Sequence, residues 1–266
     1  MLRSMKDLEG VTISALNGDI GQVQDVYFDD STWVVRYLIV ETASWLTSRK
    51  VLISPVSIDH TNRLEHALQV NITREQVRDS PDIDTDKPVS RQHEESYLNY
   101  YGYPLYWGGA DLGGAGVNPT MAVRGFPVEV PSPKIEAEVH RLVAEADMAA
   151  HRDQDPHLRS CKAVIGYHVH AKDGEIGHVE GALIDDETWS LRYLIVNTSN
   201  WWLGHSVLIA PQWIKGMRWV AATVSVDLSR DAIKNAPPYD AAKPLLRQQE
   251  IDTYQHHRRS AYWPMP

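Results

Sequence analysis

The chain of 266 residues has little cysteine and no excess of positive charge. Cys161 is its single cysteine, which excludes a disulfide framework and a zinc site built on cysteines. The net charge of −9 argues against non-specific nucleic-acid binding, which needs a basic face. No apolar run approaches the ~20 residues that span a bilayer, and the first residues lack the apolar region of a signal peptide. We therefore expect a globular protein of a reducing compartment, with a cytoplasmic location.

The dominant feature of the sequence is an internal repeat. Residues 4–107 align with residues 160–263 at a constant offset of 156 without a gap, and 35 of the 104 aligned positions are identical. The clearest block is Asp29–Val40 against Asp185–Val196, where nine of twelve residues agree. A unit of this length is too long for a solenoid repeat, so it predicts two copies of one domain.

The composition divides the chain into four segments. We expect a first domain at 1–107 and a second domain at 160–266. The stretch 108–133 is rich in glycine and proline, which is typical of a flexible linker. Apolar residues recur at helical spacing across 134–150, which predicts an amphipathic helix.

Each copy reads as a series of short strands followed by one short helix. Asn17-Gly18 and Asp173-Gly174 predict hairpins, because a type I′ turn needs positive φ at both central residues. The run 33–40 is β-branched and aromatic, as strands prefer. Thr73 is expected to cap a helix, with Gln76 at the capping-box position. The predicted fold class is mainly β with short helices, as two tandem small antiparallel barrels.

Three motifs give the chain a family resemblance. The Gly-x-Ile-Gly-x-Val hairpin from Gly18, the strand Asp29–Val40 and the Val-Leu-Ile-x-Pro strand from Val51 resemble the PRC-barrel domain, in both copies. That family includes the cytoplasmic domain of the photosynthetic reaction-centre H subunit and the C-terminal domain of a ribosome-maturation factor. The resemblance implies a small barrel, and a link to reaction-centre assembly or RNA-processing machinery. The chain lacks the membrane helix of the former, and most resembles bacterial proteins with tandem PRC-barrels, which carry no reaction.

Arg36 and Arg192 lie inside apolar strands, where a buried guanidinium needs a carboxylate partner. The candidate partners are Asp29, Asp30 or Glu41 in the first copy and their counterparts, including Asp185 and Asp186, in the second. We favour a structural role for both arginines. The alternative is a ligand-binding arginine in each copy, with a small molecule or ion held at a seam between the barrels.

No catalytic residue, metal site or cofactor is predicted. His168 and His170 would share one face of a strand, as metal ligands do. However, a regular two-residue turn would place His178 on the opposite face, and the first copy has no histidine at these positions. Cys161 is expected to be a small buried hydrophobe.

Tryptophan is unusually frequent, with nine residues against two phenylalanines. Trp33 and Trp189 align and are expected in the core. Trp202, Trp213 and Trp219 occur only in the second copy. They indicate either repacking of that copy or a surface for a partner, because exposed tryptophan is enriched at binding hot spots.

The favoured function is a non-enzymatic interaction or scaffold protein whose two barrels pack as an internal pseudo-dimer. We expect a protein partner, no direct nucleic-acid binding and no transmembrane segment, and the sequence also allows a homo-oligomer. The alternative is the ligand-binding module near Arg36 and Arg192 described above.

Overall fold

The computed structural model describes residues 1–42, 46, 49–64, 67–81, 89, 91–106, 158–198 and 205–263. The expected linker at 108–133 and helix at 134–150 lie outside the described residues, as does Trp202. The described part of the chain is mainly β with a few short helices, as the sequence predicts. None of its helices is long and apolar enough to cross a membrane.

The elements of the first repeat come first in the chain. Its strands are β1 (Leu2–Ser4), β2 (Thr12–Ala15), β3 (Gly18–Asp29), β4 (Val34–Thr42), β5 (Lys50–Ile53), β6 (Ile58–Leu64) and β7 (Ala67–Val70). Its α-helices are α1 (Met5–Leu8), α2 (Arg74–Arg78) and α3 (Arg91–Tyr101).

The elements of the second repeat follow in the same order. Its strands are β8 (Leu158–Ser160), β9 (His168–Ala171), β10 (Gly174–Asp185), β11 (Ser190–Asn197), β12 (Ser206–Ile209), β13 (Ile214–Arg218) and β14 (Thr223–Val226). Its α-helices are α4 (Cys161–Val164), α5 (Arg230–Lys234) and α6 (Arg247–His256). Each element begins 156 residues after its counterpart, so the local structure follows the sequence repeat.

The strands of each repeat form an open ladder instead of the predicted closed barrel. The first repeat has the order β6-β7-β2-β3-β4-β5, and its β2–β7 pair is parallel, whereas an all-antiparallel sheet was expected. Among the described residues no ladder joins the outer strands β5 and β6. Instead, a single 3₁₀ turn at Pro55–Ser57 connects them. Proline cannot donate a ladder hydrogen bond, so β5 ends before it.

The first hairpin forms, but its turn differs from the predicted one. Ala15 pairs with Gly18, so Leu16 and Asn17 are the central residues. Gly18 has a φ of +131°, whereas Asn17 is not among the residues with positive φ. The Asn17 amide instead reaches α2, where its Oδ1 accepts from the Arg74 N–H at 2.9 Å. Asp173 accepts from the Arg230 N–H at 2.7 Å in the same way. The polar turn residue therefore fastens a helix to the hairpin.

Strand β4 is the centre of the first repeat. Every residue from Val34 to Val40 is buried, so both faces of the strand are covered. Gly21 on β3 permits the close approach of β4, because a Cβ there would lie 1.9 Å from the Glu41 carbonyl oxygen. A Cβ on Gly177 would likewise lie 2.0 Å from the Asn197 carbonyl oxygen in the second repeat. The Gly-x-Ile-Gly spacing therefore reflects a position that only glycine fills.

The chain forms two compact units, and each unit takes its short leading strand from the other repeat. The first-repeat unit comprises Asp7–Ser160 with Glu187–Ser190, and its β8 pairs with β3. The second-repeat unit comprises Met1–Lys6, Cys161–Asp186 and Leu191–Pro266, and its β1 pairs with β10. The two pairings have the same register. This exchange was not predicted, because each repeat was expected to form a domain from one continuous segment.

Candidate functional site

Arg36 is held inside the first-repeat unit by a carboxylate and an aromatic ring. The side chains of Arg36 and Asp29 are 1% and 4% exposed, and Arg36 Nη2 lies 3.4 Å from Asp29 Oδ2. The same nitrogen donates to Thr32 Oγ1 at 3.2 Å. The guanidinium carbon lies 3.8 Å from the centre of the Tyr106 ring, in cation–π geometry. These contacts give Arg36 the structural role that its position in the sequence favours.

The second-repeat unit contains the matching arrangement. Arg192 Nη2 lies 3.1 Å from Asp185 Oδ2, and its guanidinium carbon lies 4.2 Å from the centre of the Tyr262 ring. The Arg192 side chain is 22% exposed, so this copy of the arrangement is more open to solvent.

In each pair of adjacent aspartates, the two carboxylates contact different arginines. Asp29 Oδ1 accepts from the Ser31 N–H at 2.9 Å, which fixes the turn that leads into β4. Asp30 and Asp186 instead bind the exchanged strands. Asp30 Oδ2 lies 3.0 Å from Arg159 Nε, and Asp186 Oδ2 lies 3.2 Å from Arg3 Nε. Each aspartate therefore has a structural contact within its own unit.

A buried glutamate completes the cluster in each unit, and sequence reasoning missed it. Glu94 on α3 is fully buried and accepts the hydroxyl of Tyr106. Glu250 on α6 is 3% exposed and accepts the hydroxyls of Tyr193 and Tyr262, both at 2.8 Å. The helices α3 and α6 were not predicted. The available signal was the Arg-Gln-x-Glu pattern, which stands at matched positions in both copies.

The tyrosine hydroxyls of this cluster have raised pKa values. Burial, reinforced by Glu94, raises the pKa of Tyr37 well above its usual value. Burial and then Glu250 raise the pKa of Tyr193 in the same way. Burial, with the hydrogen bond to Glu250, raises the pKa of Tyr262 to about 12. These hydroxyls are therefore protonated at neutral pH, and those of Tyr193 and Tyr262 donate to Glu250.

The histidines of β9 and β10 are arranged differently from the prediction. A β-bulge between Glu175 and Gly177 shifts the register by one residue, so His178 lies opposite His168. His168 Nδ1 lies 2.7 Å from Glu175 Oε1 on the exposed face of this hairpin. Among the residues described in 1–106 and 158–263, no group of three histidine, cysteine or acidic side chains could hold a metal ion.

Of the three tryptophans found only in the second repeat, two are described. Trp213 is 2% exposed and packs edge-on against Tyr254 and His257, with ring centres 5.0 and 4.8 Å away. Of the two alternatives for Trp213, repacking within the second repeat fits this burial and an exposed partner surface does not, because the ring fills the core beneath α6. Trp219 is half-buried at the turn after β13, and its ring meets that of Tyr167 at 5.9 Å.

Among the described residues of the second repeat, the turn between β13 and β14 carries the most exposed large hydrophobic side chain. This segment, Trp219–Ala222, is called the apolar tip below. Val220 is fully exposed, and Ala221 is exposed beside it. Tyr167 supports the tip from below through its hydroxyl, which donates to the Trp219 carbonyl oxygen at 3.4 Å. The tip is thus a small apolar surface on a braced hairpin.

Comparison with known proteins identifies the family of the first repeat. No curated protein matches the chain. The family model for the PRC-barrel domain matches residues 4–77, which run from the end of β1 to α2. This segment contains the Gly21 close approach, the Asp29 turn and the buried strand β4, the features on which the resemblance rests. Residues 4–77 of this chain are therefore similar to the PRC-barrel domain.

Proposed function

We propose that the chain is a non-enzymatic interaction protein that binds a protein partner through the apolar tip of its second repeat. The family supports the class of function, because a PRC-barrel domain is a small β-rich interaction module. The fold alone does not specify a partner, since function depends on sites and not on folds.

The apolar tip is the observation that carries this proposal. A single exposed hydrophobe is ordinary on a protein surface. Here a fully exposed Val220 stands between Trp219 and Ala221, so the apolar atoms are contiguous. Tryptophan is enriched among residues that dominate binding energy, and contiguous apolar surface marks interaction sites.

The first repeat supports the same reading by contrast. Where the second repeat has Trp219-Val220-Ala221-Ala222, the aligned sequence of the first is Arg63-Leu64-Glu65-His66. Leu64 is apolar like Val220, but the other three positions carry charged or polar residues, so the scaffold does not require apolar residues there. The change at these three positions is better explained by a partner specific to the second repeat.

The runner-up, a ligand-binding arginine, is less well supported. Arg36 and Arg192 already bind Asp29 and Asp185 and stack on tyrosine rings within their own units. A ligand would have to displace these contacts. The buried glutamates likewise accept tyrosine hydroxyl groups, and that of Tyr193 joins β11 to α6, which supports a structural use.

The test compares Val220→Asp with Leu16→Asp, which places the same charge on the first hairpin, where Leu16 is 68% exposed. A photo-crosslinking residue at position 220 would identify the partner in the native host. We expect one crosslinked protein, whose binding to purified chain weakens at least about tenfold for Val220→Asp and is unchanged for Leu16→Asp.

Two results would contradict the proposal. One is the absence of any crosslink at position 220 when positions in the first repeat give one. The other is equal partner affinity for Val220→Asp and the wild type. Circular dichroism melts of both variants verify that the fold is intact, because an exposed position should tolerate aspartate within about 0.5 kcal/mol.

Three further expectations from the sequence stay predictions. We propose that the second repeat is a second domain of the same type, since its elements recur at the same offset. We also propose that the domains pack as a pseudo-dimer, which small-angle scattering would support with a radius of gyration near 18 Å, roughly the compact value for this length. Fractionation of native cells would test the cytoplasmic location.

A further inference from the structure

The exchanged strands make each unit depend on a segment from elsewhere in the chain. In the first-repeat unit, β8 lies antiparallel to the end of β3, with Arg159 opposite Phe28. Leu158 is 4% exposed and belongs to the same core cluster as Tyr37 and Tyr106. Arg159 binds Asp30 at 3.0 Å, and the Ser160 hydroxyl donates to Asp25. The edge of β3 is thus a strand-acceptor site with an apolar pocket and a charged partner.

The donor strands are identical. Leu2-Arg3-Ser4 and Leu158-Arg159-Ser160 have the same sequence, and they pair with aligned edges in the same register. The charged contact is also repeated, since Arg3 binds Asp186 as Arg159 binds Asp30. Nothing in the ladder itself therefore requires that donor and acceptor belong to one chain.

We propose that the acceptor edge on β3 also takes the β8 strand of a second copy of this chain, giving a strand-exchanged dimer. The contacts in such a dimer equal those within one chain. Only the local concentration of the strand therefore favours the closed form, the monomer in which β8 pairs with β3 of its own chain. Residues 107–157 connect the last described residue of the first repeat to β8. A covalent connection of this length gives an effective concentration of about a millimolar or less. Exchange between identical elements is a low-cost route to dimers.

The occupant follows from the charges at the site. An acceptor with Asp30 at its end selects a strand with arginine in the middle, and this chain carries that strand twice. This inference is independent of the apolar tip, which lies in the other unit and needs a different partner.

Complementary charge reversal tests the exchange with full-length chains. Arg159→Glu places two carboxylates together, and Asp30→Arg places two guanidiniums together, so each variant weakens its own closed form. In a mixture, the glutamate introduced at position 159 of one chain fits the arginine introduced at position 30 of the other. The unchanged Arg159 of the second chain likewise fits the unchanged Asp30 of the first. The double variant Asp30→Arg/Arg159→Glu restores the pair within one chain and is the matched control.

The variants are refolded together from urea at high concentration, with one of them isotope-labelled, and native mass spectrometry counts the chains. We expect the mixed dimer to exceed the dimer of either variant alone at least about tenfold, and the double variant to form the same fraction of dimer as the wild type. A mixture with no mixed dimer, alongside a folded double variant, would overturn the proposal. If one single variant does not fold alone, its folding in the mixture supports the exchange. Its failure to fold in the mixture counts against the exchange.

Discussion

The two repeats show which parts of this fold are shared and which are free to change. Both keep the close glycine on the long strand, the arginine stacked on a tyrosine and the buried glutamate of the last helix. They differ at peripheral positions, where the second repeat carries Trp219, Asp227 and His257 in place of Arg63, Asn71 and Tyr101. The shared residues hold the scaffold, and the differing ones give the second repeat its own surface and titration behaviour.

The largest expected effect tests the shared part of the comparison. Gly21→Ala and Gly177→Ala should each cost at least about 3 kcal/mol, because the new methyl group meets a backbone carbonyl that cannot move aside. Gly181→Ala is the matched control on β10, since its Cβ would meet only the end of Ile195 at 3.4 Å. Urea unfolding measures all three. Equal stability for the Gly21→Ala and Gly181→Ala variants would show that the close approach is not required.

The next effect separates two tryptophans that the sequence treats as equal. Both were expected to cost about 3–5 kcal/mol on truncation to alanine, as buried aromatic residues do. Trp189 is 1% exposed, so that value stands for Trp189→Ala. Trp33 is only half-buried, although it stacks on Phe28 at 5.5 Å, so we expect about 2 kcal/mol for Trp33→Ala. Equal losses in urea unfolding would contradict the difference in burial.

Much of the fold could be predicted from local sequence. The strands, the buried run Val34–Val40 and the cap of α2 by Thr73 and Gln76 all rest on patterns within a few residues. The open ladder and the parallel β2–β7 pair could not be predicted, because they depend on contacts between distant segments. The exchanged strands are only three residues long, which is too short for a periodic signal.

The candidate site was predicted less completely. The charge of Arg36 in an apolar strand predicted a carboxylate partner, and of the candidates Asp29, Asp30 and Glu41 the ion pair forms with Asp29. Glu94 and Tyr106 were not predicted as part of this site, because they lie far along the chain from Arg36 and are brought to it only by α3. His178 was assigned to the wrong face because one bulged residue reverses every side chain that follows it in a strand.

The pH dependence of stability should belong to the second repeat. His257 is 8% exposed, and burial, followed by the charges of His256 and Arg259, lowers its pKa from 6.5 to about 4. Between these two pH values the His257 imidazole is protonated in the unfolded chain and neutral in the folded chain. Stability is therefore full above pH 6.5 and is lost as the pH falls toward 4.

The matched variant is His257→Tyr, which restores the residue found at the aligned position, Tyr101. We expect the wild type to lose roughly 1–2 kcal/mol more than this variant between pH 7 and pH 4, allowing for partial solvent screening. Urea unfolding at several pH values measures the difference. Parallel pH profiles for the two proteins would mean that His257 is protonated in the folded state without cost.

The smallest effect concerns a cationic cluster that exists only in the second repeat. Lys172, Lys215 and Arg259 place their charged nitrogens 2.9, 3.3 and 2.8 Å from the Asp227 carboxylate. The hydrogen bonds from these groups, that of Arg259 first, hold the pKa of Asp227 well below its usual range. A single exposed ion pair contributes little to stability. Here, however, one carboxylate offsets the mutual repulsion of three cationic groups.

Asp227→Asn, which restores the Asn71 of the first repeat, should lower the melting temperature in dilute buffer. The loss should disappear near 1 M salt, where the screening length falls to about 3 Å. Asp240→Asn is the matched control, because Asp240 pairs only with Lys243, at 2.8 Å, among the ion pairs of the described residues. Removing it leaves one cation and not three, so its effect should be smaller at every salt concentration. An Asp227→Asn loss that persists at high salt would mean that the carboxylate acts through hydrogen-bond geometry and not by separating charges.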